Sequence, residues 1–201
     1  MTDTTMTNFV NVPVELHDST QFLAWKNIEK GRKKRKVPVS KDGYPAPYND
    51  TDALMSFSEI QRTCAENSEY NCGISLLDGL TVQLGTEVGY LWCLDFDGFR
   101  SPDGELSDDF VNTLFRVIPS YVEISPSGTG FKYFFVTTRK PTSKLRVKFG
   151  ASRFVKDYPD MRKYQHSEVE IFSKGFFLAL TGAPLATHLS TLRFIEDTKL
   201  N

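Results

Sequence analysis

A chain containing Tyr121-Val-Glu-Ile-Ser-Pro-Ser-Gly-Thr-Gly-Phe-Lys-Tyr-Phe-Phe-Val136 is committed to antiparallel β-structure at that point. Two segments alternating with period two flank a Ser/Pro/Gly-rich turn, and that pattern specifies a hairpin. Gly128 and Gly130 permit positive φ and close backbone approach, so the turn's N–H groups and the hydroxyls of Ser125, Ser127 and Thr129 can form a nest for a phosphate. A plain glycine turn is the alternative. Lys132, alternating with Phe131 and Tyr133 just after the turn, adds an ammonium beside that nest and favours the anion-binding reading. Glu123, on the first strand, either supports the site from behind or braces the loop.

Two further segments carry paired carboxylates. In Tyr90-Leu-Trp-Cys-Leu-Asp-Phe-Asp-Gly98 the acids are spaced by two, so Asp95 and Asp97 share one face of a strand and Phe96 takes the other. Adjacent like charges repel, and a bound Mg2+ or Mn2+ removes that cost by supplying counter-charge. On this reading Asp95→Asn leaves the fold intact, or stabilises it slightly. The competing reading is a solvated strand end running into the Asp97-Gly98 turn. In Ser167-Glu-Val-Glu-Ile-Phe172, Glu168 and Glu170 share a face, and Glu170 suits a third metal ligand. By itself that segment is equally an ordinary amphipathic strand.

The formal net charge of −1 hides a segregation of sign along the chain. Residues 26–41 carry eight Lys/Arg and one acid, residues 42–123 fifteen acids and three Arg, and residues 139–163 nine Lys/Arg and two Asp. Arg32, Lys33, Lys34, Arg35 and Lys36 in the first basic stretch, with Arg146 and Lys148 in the second, would hold a nucleic acid while the acids between them hold cations. Solvated loops without a partner would carry the same charges. A nuclear-import reading of the first stretch has no specificity, because any short basic cluster matches it.

Around these segments, Asp18-Ser19 ahead of Phe22, Leu23 and Trp25 reads as a capped helix ending before Gly31, followed by a basic loop to Pro38. Asn49 or Asp50 caps a second helix containing Leu54, Phe57, Ile60 and Cys64, and Ser107-Asp108-Asp109 opens a third with Phe110, Leu114 and Val117 on one side. Strands are expected at 72–77, 88–96, 121–124, 131–137, 168–172 and 176–180, with another at 144–149. Strands adjacent in sequence and interrupted by helices indicate an α+β fold, not a doubly wound parallel sheet. With 201 residues and sixteen Phe, the chain suffices for one domain of two lobes around an aromatic interior.

No run approaches the ~18 apolar residues of a membrane span, and the opening Met1-Thr-Asp-Thr-Thr-Met-Thr lacks the features of a secretion signal. A soluble, cytoplasmic protein without a membrane partner is expected. Cys64, Cys72 and Cys93 fall in no CxxC or Cys/His ligand spacing, and His17, His166 and His188 are scattered. That argues against zinc and for reduced, buried thiols.

Taken in order, Leu94-Asp-Phe-Asp97, Tyr121-Val-Glu-Ile-Ser-Pro-Ser-Gly-Thr-Gly130 and Val169-Glu-Ile-Phe-Ser-Lys-Gly-Phe-Phe-Leu-Ala-Leu-Thr-Gly182 resemble the archaeo-eukaryotic primase superfamily. The closer likeness is to the bifunctional primase-polymerase domain of phage and plasmid replication proteins. Trp25, Lys36-Val-Pro38 and Asp52-Ala-Leu-Met-Ser-Phe57 resemble that family's N-terminal helix, Lys-x-Pro loop and second helix, extending the likeness over residues 20–185. Residues 1–19 then form an extension and 186–201 a tail or the start of a linker. The resemblance implies a helical/β N-terminal module packed against an RRM-like catalytic module, with a single-stranded DNA template in the cleft between them. It further implies a template-dependent nucleotidyltransferase in a bacterial or phage-infected cell. Asp95, Asp97 and Glu170 would hold two divalent cations. Ser125, Ser127, Gly128, Thr129, Gly130, Lys132 and Lys174 would hold the (d)NTP, and a replicative helicase, fused or in trans, would be a partner. Lys132 stands where the family has His, keeping a cationic donor but as a longer point charge. Two other readings compete: a catalytically silent single-strand-binding replication module, and a metal-dependent nuclease using the same carboxylates on water.

Overall fold

The computed structural model describes residues 6–30, 33–106, 109–148, 150, 154, 156–158, 167–186 and 189–196. The fold is α+β, built mostly from antiparallel sheet. The strands are β1 (Phe22–Lys30), β2 (Lys33–Val39), β3 (Asn71–Ser75), β4 (Thr81–Leu84), β5 (Glu87–Asp97), β6 (Tyr121–Ile124), β7 (Gly130–Thr137), β8 (Leu145–Lys148), β9 (Glu168–Phe172) and β10 (Phe177–Ala179). The helices are α1 (Phe57–Glu66) and α2 (Asp109–Val117). One sheet has four strands in the order β10-β3-β1-β2; the other has six, in the order β6-β7-β5-β9-β8, with β4 also paired to β5. Among the described residues no helix is long and apolar enough to cross a membrane.

The helix expected to follow Ser19 is strand β1. Phe22, Leu23, Ala24 and Trp25 are all buried, because β1 is an inner strand between β2 and β3 and is covered on both faces. A continuous apolar run of that kind carries no period, so it fits a buried strand as well as a helix. Ser19 makes a local turn, its Oγ accepting from Gln21 N at 3.1 Å. The basic segment expected as a loop is largely β2, paired antiparallel to β1 from Ala24↔Val39 to Lys30↔Lys33. Its position at the sheet edge tolerates Pro38, which has no N–H to donate, and lysine-rich edges discourage pairing with other chains. The second helix starts later than expected. Asp50 caps only a single 3-10 turn at 51–53, and α1 begins at Phe57, with Ser56 as N-cap of a capping box: Ser56 N donates to Glu59 at 2.8 Å, and Ser56 Oγ accepts from Glu59 N. The cap expected at Ser107 and Asp108 lies outside the described residues.

The six-stranded sheet has two differently employed faces. Trp92, Phe96, Phe131, Tyr133, Phe135 and Val169 pack with Val111 and Phe115 of α2. On the other face, Leu91, Cys93, Tyr121, Phe134, Val136 and Phe172 join Phe22, Ala24, Cys72, Ile74 and Leu178 of the four-stranded sheet in one core, with Ile60 and Cys64 of α1. Val12 and Leu16 enter the same core, and Asn8 N donates to Thr181 O at 2.8 Å, so residues 6–19 are packed into the domain. Further along the chain, Leu189, Leu192 and Ile195 are buried as well. All three cysteines are buried and unpaired.

Candidate functional site

Strand alternation places Asp95 and Asp97 on the same face of β5 as Leu91 and Cys93, the face that packs against the second sheet. The inter-sheet core ends at these two carboxylates. Register then aligns the neighbours: Asp95 is opposite Lys132 on β7 and opposite Glu170 on β9, Lys132 is opposite Glu123 on β6, and Glu170 is opposite Arg146 on β8. Five strands thus contribute one charged row, Glu123, Lys132, Asp95, Glu170 and Arg146. Two residues further along β5, Asp97 is opposite Glu168, which is opposite Lys148.

Cations satisfy much of this row. Lys132 Nζ lies 2.7 Å from Asp95 Oδ2, with the two side chains only 5% and 16% exposed. Burial works against the Lys132 charge, and the Asp95 and Asp97 carboxylates more than offset it, holding the ammonium above the ordinary lysine range. Glu170 Oε1 accepts from Arg146 Nε at 2.6 Å and is also paired with Arg146 Nη2 and with Lys144 Nζ at 2.8 Å. Glu168 faces Arg146 at 3.4 Å and Lys148 at 3.6 Å. Arg146 and Lys148 are therefore turned onto the carboxylates of β9. Burial, with Asp95 nearby, pushes Asp97 up to about 6. Asp95 Oδ1 is the exception to the pairing: it is buried and has no hydrogen-bond partner.

A cavity of about 220 Å3 opens beside the row, lined by Lys36, Asp95, Lys132, Glu170, Phe172, Phe176, Phe177, Leu178 and Ala179. Lys36 and β10 belong to the four-stranded sheet, so both sheets build the cavity. Lys36 Nζ also sits 5.7 Å from the Trp25 ring centroid. Its side chain still meets solvent, yet the protein mass around its ammonium, with Lys132 nearby, lowers it to about 8 against the pull of Asp95 and Asp97.

Glu123 is a brace. Its buried carboxylate accepts from Tyr121 Oη at 2.7 Å, from Thr181 N at 3.0 and 3.1 Å, and from Gly182 N at 3.0 Å. It ties β6 to the segment leaving β10. The turn at 125–130 is self-contained: Ser127 Oγ lies 3.0 Å from both Ser125 Oγ and Thr129 Oγ1, and Arg100 Nη1 donates to Gly128 O at 2.7 Å. Gly128 has φ +74, as the turn requires; a Cβ on Gly130 would lie 2.2 Å from Phe96 O, so its lack of a side chain is what lets β7 close onto β5. None of these turn residues lines the cavity. Lys174, half-buried, sits on the turn between β9 and β10. Arg32 lies outside the described residues, and Lys33, Lys34 and Arg35 follow it into β2.

Sequence reasoning missed Lys144, Phe172 and Phe176. Their signals were a basic run around Lys144 and, for Phe172 and Phe176, membership of the 169–182 segment, which drew attention for its acids and not for its aromatic rings.

The oxygen donors suit a hard divalent cation at the Asp95 Oδ1 and Asp97 end of the row. Among the described residues, however, no three Asp, Glu, His or Cys side chains form a ready metal-holding group. The carboxylates are instead engaged by cations of the protein: Lys132 takes one oxygen of Asp95, and Arg146 and Lys144 take one of Glu170. No protein-family model matches the chain, and no curated protein matches it in sequence.

Proposed function

We propose that the chain is a template-dependent nucleotidyltransferase module, a primase-polymerase domain of the archaeo-eukaryotic primase type acting in phage or plasmid replication. The observation that carries the proposal is the register: Lys132, Asp95 and Glu170, from three segments remote in sequence, stand side by side at the mouth of a cavity. Asp95 and Glu170 belong to the segments that carried the resemblance, and Lys132 takes the position where that family has His. Mg2+ or Mn2+ is the proposed cofactor, as two ions held by Asp95, Asp97 and Glu170. When bound, such ions polarise the α-phosphate and neutralise the departing pyrophosphate. The chain's own groups do the rest. Lys132 and Lys36 offer two ammonium groups to phosphate oxygens from opposite sheets, while the 125–130 turn leads into β7 and Lys174 sits on the turn between β9 and β10. The inter-sheet cleft would take the single-stranded template.

One observation favours a second reading. Each carboxylate at the centre of the row already faces a cation of the protein, so the charge that divalent ions would supply is partly present in Lys132, Arg146 and Lys144. A single-strand-binding replication module without chemistry has that property. Incubation with a primed and an unprimed template, Mg2+ or Mn2+ and labelled nucleotides, followed by sizing of products, separates the two. Extended products that vanish in Asp97→Asn and need more nucleotide in Lys132→Ala support the transferase. An oligonucleotide bound tightly but never extended supports the silent module.

A further inference from the structure

Phe176 combines three properties. It is 38% exposed, it lies on the short turn between β9 and β10, and it forms a wall of the cavity that holds Asp95, Lys132 and Glu170. Its partly open ring brings a flat apolar surface to a cavity that also holds two ammonium groups. The ring is also held in place by its neighbours. Phe172, 1% exposed, stacks on it with centroids 4.6 Å apart and planes 23° from parallel, and Phe177 stacks at 5.9 Å and 15°. Lys144 Nζ lies 5.4 Å from the Phe176 centroid and 4.9 Å from that of Phe172 while paired to Glu170 at 2.8 Å. The ring therefore has little rotational freedom to lose on binding, which is the condition for an efficient stacking surface.

We infer that Phe176 is the stacking platform for a nucleobase whose phosphates lie toward Lys132 and Lys36. A flat π-surface, two cations lining the same cavity from opposite sheets and a volume below the roughly 300–1,000 Å3 of a pocket that engulfs a whole ligand suit a base entering edge-on from a nucleotide or a single strand. Leu178 and Ala179 form an apolar floor without hydrogen-bonding side chains, so recognition here is by stacking and indifferent to base identity. The inference rests on the proposed function only in requiring a nucleic-acid-type ligand; it does not require chemistry.

The test uses 2-aminopurine, whose fluorescence is quenched when it stacks. The probes are its nucleoside triphosphate and a single-stranded oligodeoxynucleotide carrying one such base, both titrated with Mg2+ present, and inorganic tripolyphosphate serves as a base-free control. Phe176→Leu should weaken at least one probe by about 5- to 100-fold and abolish its quenching, with tripolyphosphate unaffected. Phe176→Tyr should stay close to wild type. Loss for the triphosphate identifies the incoming nucleotide as the source of the base, and loss for the oligonucleotide identifies the template. If wild type binds a probe and Phe176→Leu binds and quenches it equally, the platform is wrong and the proposed function stands. If wild type binds neither probe, both fall together. An unchanged Tm for Phe176→Leu confirms that the fold was not what changed.

Discussion

Asp95→Asn should destabilise the protein, reversing what two adjacent carboxylates suggest on paper. The repulsion between Asp95 and Asp97 is real, but Asp95 is also the 2.7 Å partner of a lysine whose side chain is only 5% exposed. Breaking a buried ion pair by removing one partner costs about 3–5 kcal/mol, because the other charge stays buried without its counter-ion. Asn keeps an oxygen facing Lys132, and Asp97 remains nearby, which places the loss at the lower end, about 3 kcal/mol. In a domain of this size that is a fall of about 6–12 °C in Tm. The assay is thermal and urea unfolding at pH 7 with EDTA present, on wild type, Asp95→Asn, Lys132→Met and the double variant. The double variant should recover about 2 kcal/mol or more relative to the sum of the single losses, since replacing a whole buried pair by apolar or neutral groups is often close to neutral. An Asp95→Asn protein as stable as wild type, or strictly additive losses, would refute the reasoning and restore repulsion as the governing effect.

Two other outcomes follow from the charges. Because Asp97 is held up at about 6 by burial and Asp95, the folded state binds its proton more readily than the unfolded chain does, so this group's contribution to stability falls as pH rises from about 4 to 6. Asp97→Asn should accordingly raise Tm at pH 7, and that gain should shrink at pH 4.5; a gain independent of pH would show that Asp97 is not perturbed. Replacing Arg32, Lys33, Lys34 and Arg35 by Gln should weaken single-stranded DNA binding and reduce the salt slope by about 0.7 for each phosphate no longer neutralised, read by fluorescence anisotropy at several salt concentrations. A slope equal to wild type would make the β1–β2 hairpin a bystander.

The strands that carry the site were readable in the sequence because each has one face in the core and one charged end. Asp95-Phe96-Asp97 and Glu168-Val169-Glu170 alternate, the Ser/Pro/Gly turn marks the hairpin between Tyr121 and Val136 although β7 is buried throughout, and β6, β7 and β9 fall within a residue of their expected limits. β1 was not readable, because burial on both faces erases alternation. β4 also went unnoticed: four residues, Thr81-Val-Gln-Leu84, offer too short a pattern. The site's carboxylates were legible one by one, but their partners were not. Lys132 could be seen beside the turn, whereas its position opposite Asp95 depends on the β5–β7 register, and the approach of Lys36 depends on how two sheets pack. Glu123 illustrates the same limit. Its acidity was visible, but its bonds to Thr181 and Gly182 join residues far apart in the chain.

The order β10-β3-β1-β2 has a consequence during synthesis. Three strands of the smaller sheet are made first and the fourth last, since β3 ends at Ser75 and its neighbour β10 begins at Phe177. At ~5–20 residues per second, β3 waits roughly 5–20 s as an unpaired edge before β10 is available. Throughout that interval the nascent chain presents an open edge beside Cys72 and Ile74, the kind of surface on which growing polypeptides stick to one another. The same delay applies to the cavity, whose aromatic wall and Glu170 arrive together. A growing chain halted before residue 170 would carry Lys36 and the Asp95-Lys132 pair without Glu170 or the aromatic wall, so the cavity itself is completed late and in one step.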